Sequence, residues 1–73
     1  MSARPRKRSL TLRGHRTSVT LEEPFWQALR EIAAARGKPI NTLAAEIDAA
    51  RDPGDCGLAS AIRLHVLRHY RDG

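Results

Sequence analysis

The sequence predicts a mainly helical domain that carries one short β-ribbon. Three observations point there. Residues 16–21 alternate, with Val19 and Leu21 apolar and Ser18 and Thr20 polar, which is the two-residue period of a strand with one buried face. From Glu23 onward the apolar residues switch to a helical period and keep it through three segments. The 73-residue chain also has a single cysteine, Cys56, and therefore no internal disulfide. A core this small is marginal without a staple, a metal or a second copy of the chain.

Residues 1–8, MSARPRKR, hold Arg4, Arg6, Lys7 and Arg8 beside a proline. Like charges at this density repel and build no core. A disordered basic arm is expected over 1–8, with the folded domain over 9–73. The arm either lies along phosphates or only keeps the chain in solution. Residues 9–13, SLTLR, alternate again. Either they extend the arm, or they return on the strand as a hairpin that pairs Leu12 with Val19 and Leu10 with Leu21, looping from Gly14 to Thr17.

Glu22 and Glu23 place acids at the positive end of a helix, and Pro24 is tolerated in its first turn. That helix is expected over 23–36. Phe25, Ala28, Leu29, Ile32 and Ala33 form its apolar stripe, with Trp26 at the border. Gly37 ends it and Pro39 prevents its resumption. Asn41 is the expected N-cap of a second helix, 41–51, with Leu43, Ala44, Ile47 and Ala50 on its apolar side. DPGDCG, residues 52–57, is dense in breakers and predicts a loop. A third helix, 58–70, carries Leu58, Ile62, Leu64, Val66, Leu67 and Tyr70 over well over half of its circumference. Such a helix is buried from more than one direction, which two subunits arrange more readily than one.

Composition narrows the function. Thirteen Lys/Arg against eight Asp/Glu leave a formal charge of +5, which favours anionic partners, nucleic acid among them. No apolar run reaches the length of about 18 residues that a membrane span needs, and no signal peptide is recognisable, so a cytoplasmic chain is expected. His65 and His69 lie four apart but lack a third ligand nearby, so no metal is expected. Cys56 has no activating base in its loop, which predicts an inert exposed thiol. There is no Gly-rich phosphate loop, no carboxylate pair and no nucleophile with a base. Neither an enzyme nor a cofactor is expected.

A lone amphipathic strand needs a partner, and a second copy of the chain can supply it. Two such strands form an antiparallel ribbon about a two-fold axis, narrow enough for a DNA major groove. The side chains expected in the shared core are Val19, Leu21, Phe25, Leu29, Ile32, Leu43, Ile47, Ile62 and Val66. At this point the chain resembles the ribbon-helix-helix domain proteins, a short bacterial group. The resemblance is carried by Gly14 to Val19 with Leu21-Glu22, then Phe25-Trp26, Leu29 and Ile32-Ala33. It continues through Gly37, Leu43, Ala44, Ile47-Asp48, the run Leu58 to Arg63, and Val66-Leu67.

The resemblance implies an intertwined homodimer with intermolecular antiparallel strands and an added C-terminal helix, working as a DNA-binding transcriptional regulator, often a repressor. Carried over residue by residue, it makes Arg16, Ser18 and Thr20 the base readers, with Glu22 at the strand end. The backbone amides near Asn41 and Thr42, helped by Lys38, would hold phosphate at a helix N-terminus. Arg13 and His15 are further phosphate candidates. Glu22 departs from the family pattern, where many members carry a basic or amide residue; a carboxylate accepts from cytosine but repels phosphate. The alternative on the same scaffold is a dimeric protein-interaction module or antitoxin-like adaptor that does not bind DNA.

Overall fold

The computed structural model describes residues 4–51, 54 and 57–72. Strand β1, Pro5–Leu12, is followed by β2, His15–Glu22, and then by helices α1, Glu23–Ala35, α2, Ile40–Ala50, and α3, Leu58–Asp72. The two strands pair antiparallel as one two-stranded sheet.

The hairpin settles the choice left open for residues 9–13 and corrects the disordered arm for residues 5–8. Those four residues are the first half of β1; Arg4 precedes the strand and is exposed, and residues 1–3 lie outside the described residues. Charge repulsion among Arg6, Lys7 and Arg8 does not prevent pairing, because alternation sends successive side chains to opposite faces. Glu23 also supplies a countercharge to Arg8. The register differs from the expected one. Leu12 stands opposite His15, Leu10 opposite Thr17 and Arg8 opposite Val19, a shift of four residues. An even shift leaves every side chain on its own face, so Leu10, Leu12, Val19 and Leu21 are all buried as the alternation demanded.

The shift comes from the turn. Arg13 and Gly14 have φ of 53° and 84°, the two positive values of a tight two-residue hairpin turn. Gly14 takes this conformation without cost; Arg13 is a residue type that rarely does.

Helix α1 starts one residue after Glu22, with Glu23 and Pro24 in its first turn. It ends in a paired set of bonds: Gly37 N donates to Ala34 O at 3.1 Å and Lys38 N to Ala33 O at 3.0 Å. Gly37, at φ 66°, makes this closure possible. The buried side of α1 is Trp26, Leu29, Ile32 and Ala33. Phe25 is only half-buried, which corrects its place in the expected core: the stripe is centred one residue later, on Trp26. Helix α2 begins at Ile40 with Pro39 as N-cap and no side-chain cap, so Asn41 does not cap it. Leu43 N instead bonds Pro39 O at 3.1 Å.

One core joins all five elements: Leu10 and Leu12 of β1, Val19 and Leu21 of β2, the α1 face, Leu43, Ala44 and Ile47 of α2, and Ile62 and Val66 of α3. Leu21, Leu29, Leu43, Ala44 and Ile62 are wholly buried. These side chains meet within a single chain, where the sequence alone suggested a core shared between two. The outer side of α3 leaves Leu64, Leu67 and Tyr70 exposed.

Candidate nucleic-acid interface

The hairpin turns one face to the helices and one to solvent. Alternation places Lys7, Ser9 and Thr11 of β1 beside Arg16, Ser18 and Thr20 of β2 on the solvent face, and all six are exposed. Cross-strand neighbours are Lys7 and Thr20, Ser9 and Ser18, Thr11 and Arg16. Two cations and four hydroxyls thus cover a flat strip. Arg16, Ser18 and Thr20 were named from the sequence. Lys7, Ser9 and Thr11 were missed as a group because the charge run hid the alternation that Leu10 and Leu12 continue.

The acids at the strip's end are neutralised. Arg63 Nε and Nη2 reach both carboxylate oxygens of Glu22 at 2.9 and 3.1 Å, the fork geometry that arginine makes with a carboxylate. The Arg63 hydrogen bond holds the Glu22 carboxyl below its ordinary 4.5. Glu23 accepts from Gln27 Nε2 at 2.7 Å and pairs with Arg8; the Gln27 bond first, and Arg8 after it, keep its carboxyl low as well. The Arg8 guanidinium also lies 5.1 Å from the centroid of the Trp26 ring. Arg8, expected in a free arm, is therefore a brace between β1 and α1.

The two edges of the hairpin differ. In a two-residue hairpin the pair next to the turn exchanges both hydrogen bonds, and every second pair after it does the same. Leu12, Leu10 and Arg8 therefore point their backbone groups at β2, and Thr11 points outward. Thr11 N donates to Asn41 Oδ1 at 3.1 Å, so α2 covers that edge of β1. On β2 the outward backbone groups belong to Arg16, Ser18 and Thr20. Among the described residues no other backbone group bonds them, and the edge is open.

The expected phosphate ligands divide. Arg13, Asn41 and Thr42 line one recess with Thr11, Ala45 and Glu46. The amides of Ile40, Asn41 and Thr42 open α2 and have no intrahelical acceptor. His15 lies instead in a second recess with Leu12, Arg13, Asp48, Arg51 and Leu58, on the helix side of the hairpin. Lys38 Nζ holds both carboxylate oxygens of Glu46 at 2.9 Å, so its charge is engaged. Among the described residues no three His, Cys, Asp or Glu side chains converge to hold a metal, and no helix is long and apolar enough to cross a membrane. Cys56 lies outside the described residues.

Compared with protein-family models, residues 5–70 match the ribbon-helix-helix domain. The chain belongs to the ribbon-helix-helix family. A search of curated proteins and one of solved structures found no match. Ribbon-helix-helix domains are typically DNA-binding transcription regulators, generally non-enzymatic, and usually dimeric. This ribbon-helix-helix chain adds two elements to a strand-helix-helix plan: β1, which pairs with the strand before α1, and α3, which closes the core beneath α1 and α2.

Proposed function

We propose that this chain is a homodimeric DNA-binding transcription regulator, acting as a repressor in the bacterial cytoplasm. Two β2 strands pair along their open edges about a two-fold axis and make a four-stranded sheet with β1 outermost. Arg16, Ser18 and Thr20 then lie on the two central strands, over the floor of the major groove. The full sheet spans three strand spacings, about 14 Å, against a groove of about 12 Å. Its outer strands therefore stand over the groove walls, where Lys7, Arg13 and the α2 amides of Asn41 and Thr42 meet phosphates. Arg16 can take guanine with two hydrogen bonds; Ser18 and Thr20 hydrogen-bond more permissively. Arg4 and Arg6, both exposed, add positive charge near the backbone.

The observation that carries this proposal is the solvent face of the hairpin: two cations and four hydroxyls, with the adjacent acids tied to Arg63 and Arg8. The test is Arg16→Ala in a fluorescence-anisotropy titration with duplex DNA at several salt concentrations. Affinity should fall and the preference for guanine at the contacted position should relax. Unchanged affinity and preference would remove the hairpin as the DNA-reading element.

A second proposal, a protein-interaction module of antitoxin or adaptor type on the same dimer, is favoured by one feature. Leu64, Leu67 and Tyr70 are exposed at i, i+3 and i+6 on α3, and a contiguous exposed apolar patch is a feature of protein-interaction surfaces. Release from duplex DNA at low salt would favour the module over the regulator.

A further inference from the structure

Away from the hairpin, four basic side chains gather around a recess lined by one acid. His65, Arg68, His69 and Asp72 are spaced to share one face of α3, and Arg36 from the end of α1 faces them across a shallow recess of about 310 Å³. The Arg36 side chain is not needed to close its helix, because backbone amides do so: Arg36 N bonds Ile32 O at 3.0 Å, and Gly37 N and Lys38 N bond Ala34 O and Ala33 O. Neither Arg36 nor Arg68 makes an ion pair among the described residues. His65 Nε2 is shut off from solvent and has no hydrogen-bond partner there, an arrangement that costs stability unless something fills it. Burial lowers the His65 pKa from 6.5, and the charges of Arg36, His69 and Arg68 lower it further. From α2, Glu46 acts in the opposite direction, but its carboxylate is held by Lys38. Asp72 is the one acid lining the recess.

We propose that this recess binds the phosphoryl group of a small anionic ligand, as an effector site separate from the hairpin surface. Two guanidiniums match phosphoryl oxygens in geometry and charge, and the His65 and His69 rings add N–H donors. The volume is at the lower end for ligand pockets, which suits a mono- or diphosphate with a small remainder. Bound anion stabilises the His65 cation against the burial that lowers its pKa, so binding takes up a proton and strengthens as pH falls. Asp72 competes with the ligand for the same cations.

The test is an NMR titration of the full chain with pyrophosphate, following the ring signals of His65 and His69 below and above neutral pH. Saturable shifts should appear, tighter at the lower pH. Together, Arg36→Gln and Arg68→Gln should weaken binding on the order of tenfold or more, while Asp72→Asn should tighten it. Asp72→Asn alters only an exposed side chain, so it keeps the test decisive even if the double variant loses its fold. Absence of a saturable shift at the lower pH, or equal binding by wild type and both variants, would overturn the site. So would a parallel loss of duplex-DNA and pyrophosphate affinity in a double variant that keeps the helical circular-dichroism signal of the wild type, since the recess would then belong to the nucleic-acid contact. The proposal does not depend on the hairpin reading DNA, because pyrophosphate binding is measured without DNA.

Discussion

Strands β1 and β2 have the same length and each sends two aliphatic side chains into the core, yet their outer edges are treated oppositely. On β1 the outward amide of Thr11 is taken by Asn41, and Arg8 ties the strand to Glu23 and Trp26. On β2 the outward amides and carbonyls of Arg16, Ser18 and Thr20 have no partner among the described residues. An edge left open this way is a template for another strand, and proteins usually blunt or cover it. Here one edge is covered and the other is left bare. The strand with the free edge is also the one with the arginine and hydroxyls central to the proposed interface. The hairpin is therefore covered on one side and open on the other.

The largest expected effect tests whether β1 is as integral as β2. Leu10 and Leu21 are both buried, at 3% and 0% exposure. Leu10→Ala and Leu21→Ala should each cost about 2–5 kcal/mol in urea unfolding, the range for deleting a buried leucine side chain. If Leu10→Ala cost less than about 1 kcal/mol while Leu21→Ala cost the full amount, β1 would be a loosely attached arm and the comparison would fail.

The same pair of strands shows what sequence can and cannot convey. Val19 and Leu21 are legible because a polar residue separates them and a clear helix signal follows. Leu10 and Leu12 carry an equally regular pattern, but the charge run before them masks it: Arg6, Lys7 and Arg8 read as a repelling cluster until Glu23 and Trp26 are known to stand beside Arg8. The register is beyond sequence reasoning for a different reason. It depends on Arg13 accepting a positive φ, and an Arg-Gly pair signals that more weakly than Asn-Gly does. The helices are legible nearly to the residue, whereas Asn41 is misassigned because its side chain is used by β1 and not by its own helix. Of the candidate site, alternation places Ser18 and Thr20 on the outer face, whereas the base-reading role of Arg16, Ser18 and Thr20 is what the family resemblance implies. The pairing of Glu22 with Arg63 spans 41 residues, and no local pattern announces it.

A smaller effect separates the two edges directly. Asn41→Ala frees the Thr11 amide, and because this bond is exposed the loss should be near the bottom of about 0.5–1.5 kcal/mol. It should be independent of protein concentration. Ser18→Pro, which removes an outward donor from β2, should leave the single-chain fold largely intact, because edge positions tolerate proline. It should abolish association between copies in sedimentation at micromolar concentration. Equal sedimentation of wild type and Ser18→Pro would mean that the bare edge is not where two copies join.

The smallest effect is a pH dependence with two separable windows. Glu22 has a folded pKa below 4.5 because Arg63 hydrogen-bonds its charged form. Its contribution to stability is therefore complete above the unfolded value and is lost as pH falls through the lower folded value. His65 is also lowered, from 6.5, chiefly by burial. For a base this means that the unfolded chain takes up the proton first, so stability falls as pH drops below about 6.5 and levels off once the folded form is protonated too. Both groups favour the fold at higher pH, but in different ranges. Urea midpoints of His65→Gln should lose the upper step and keep the lower, and those of Glu22→Gln should keep the upper and show a smaller lower step, the remainder coming from Glu23. Glu22 joins the end of β2 to α3, so its step reports the acid that would otherwise face DNA phosphate. If Glu22→Gln left the acid limb unchanged, Arg63 would not be neutralising that carboxylate, and the hairpin would meet DNA with a free negative charge at its end.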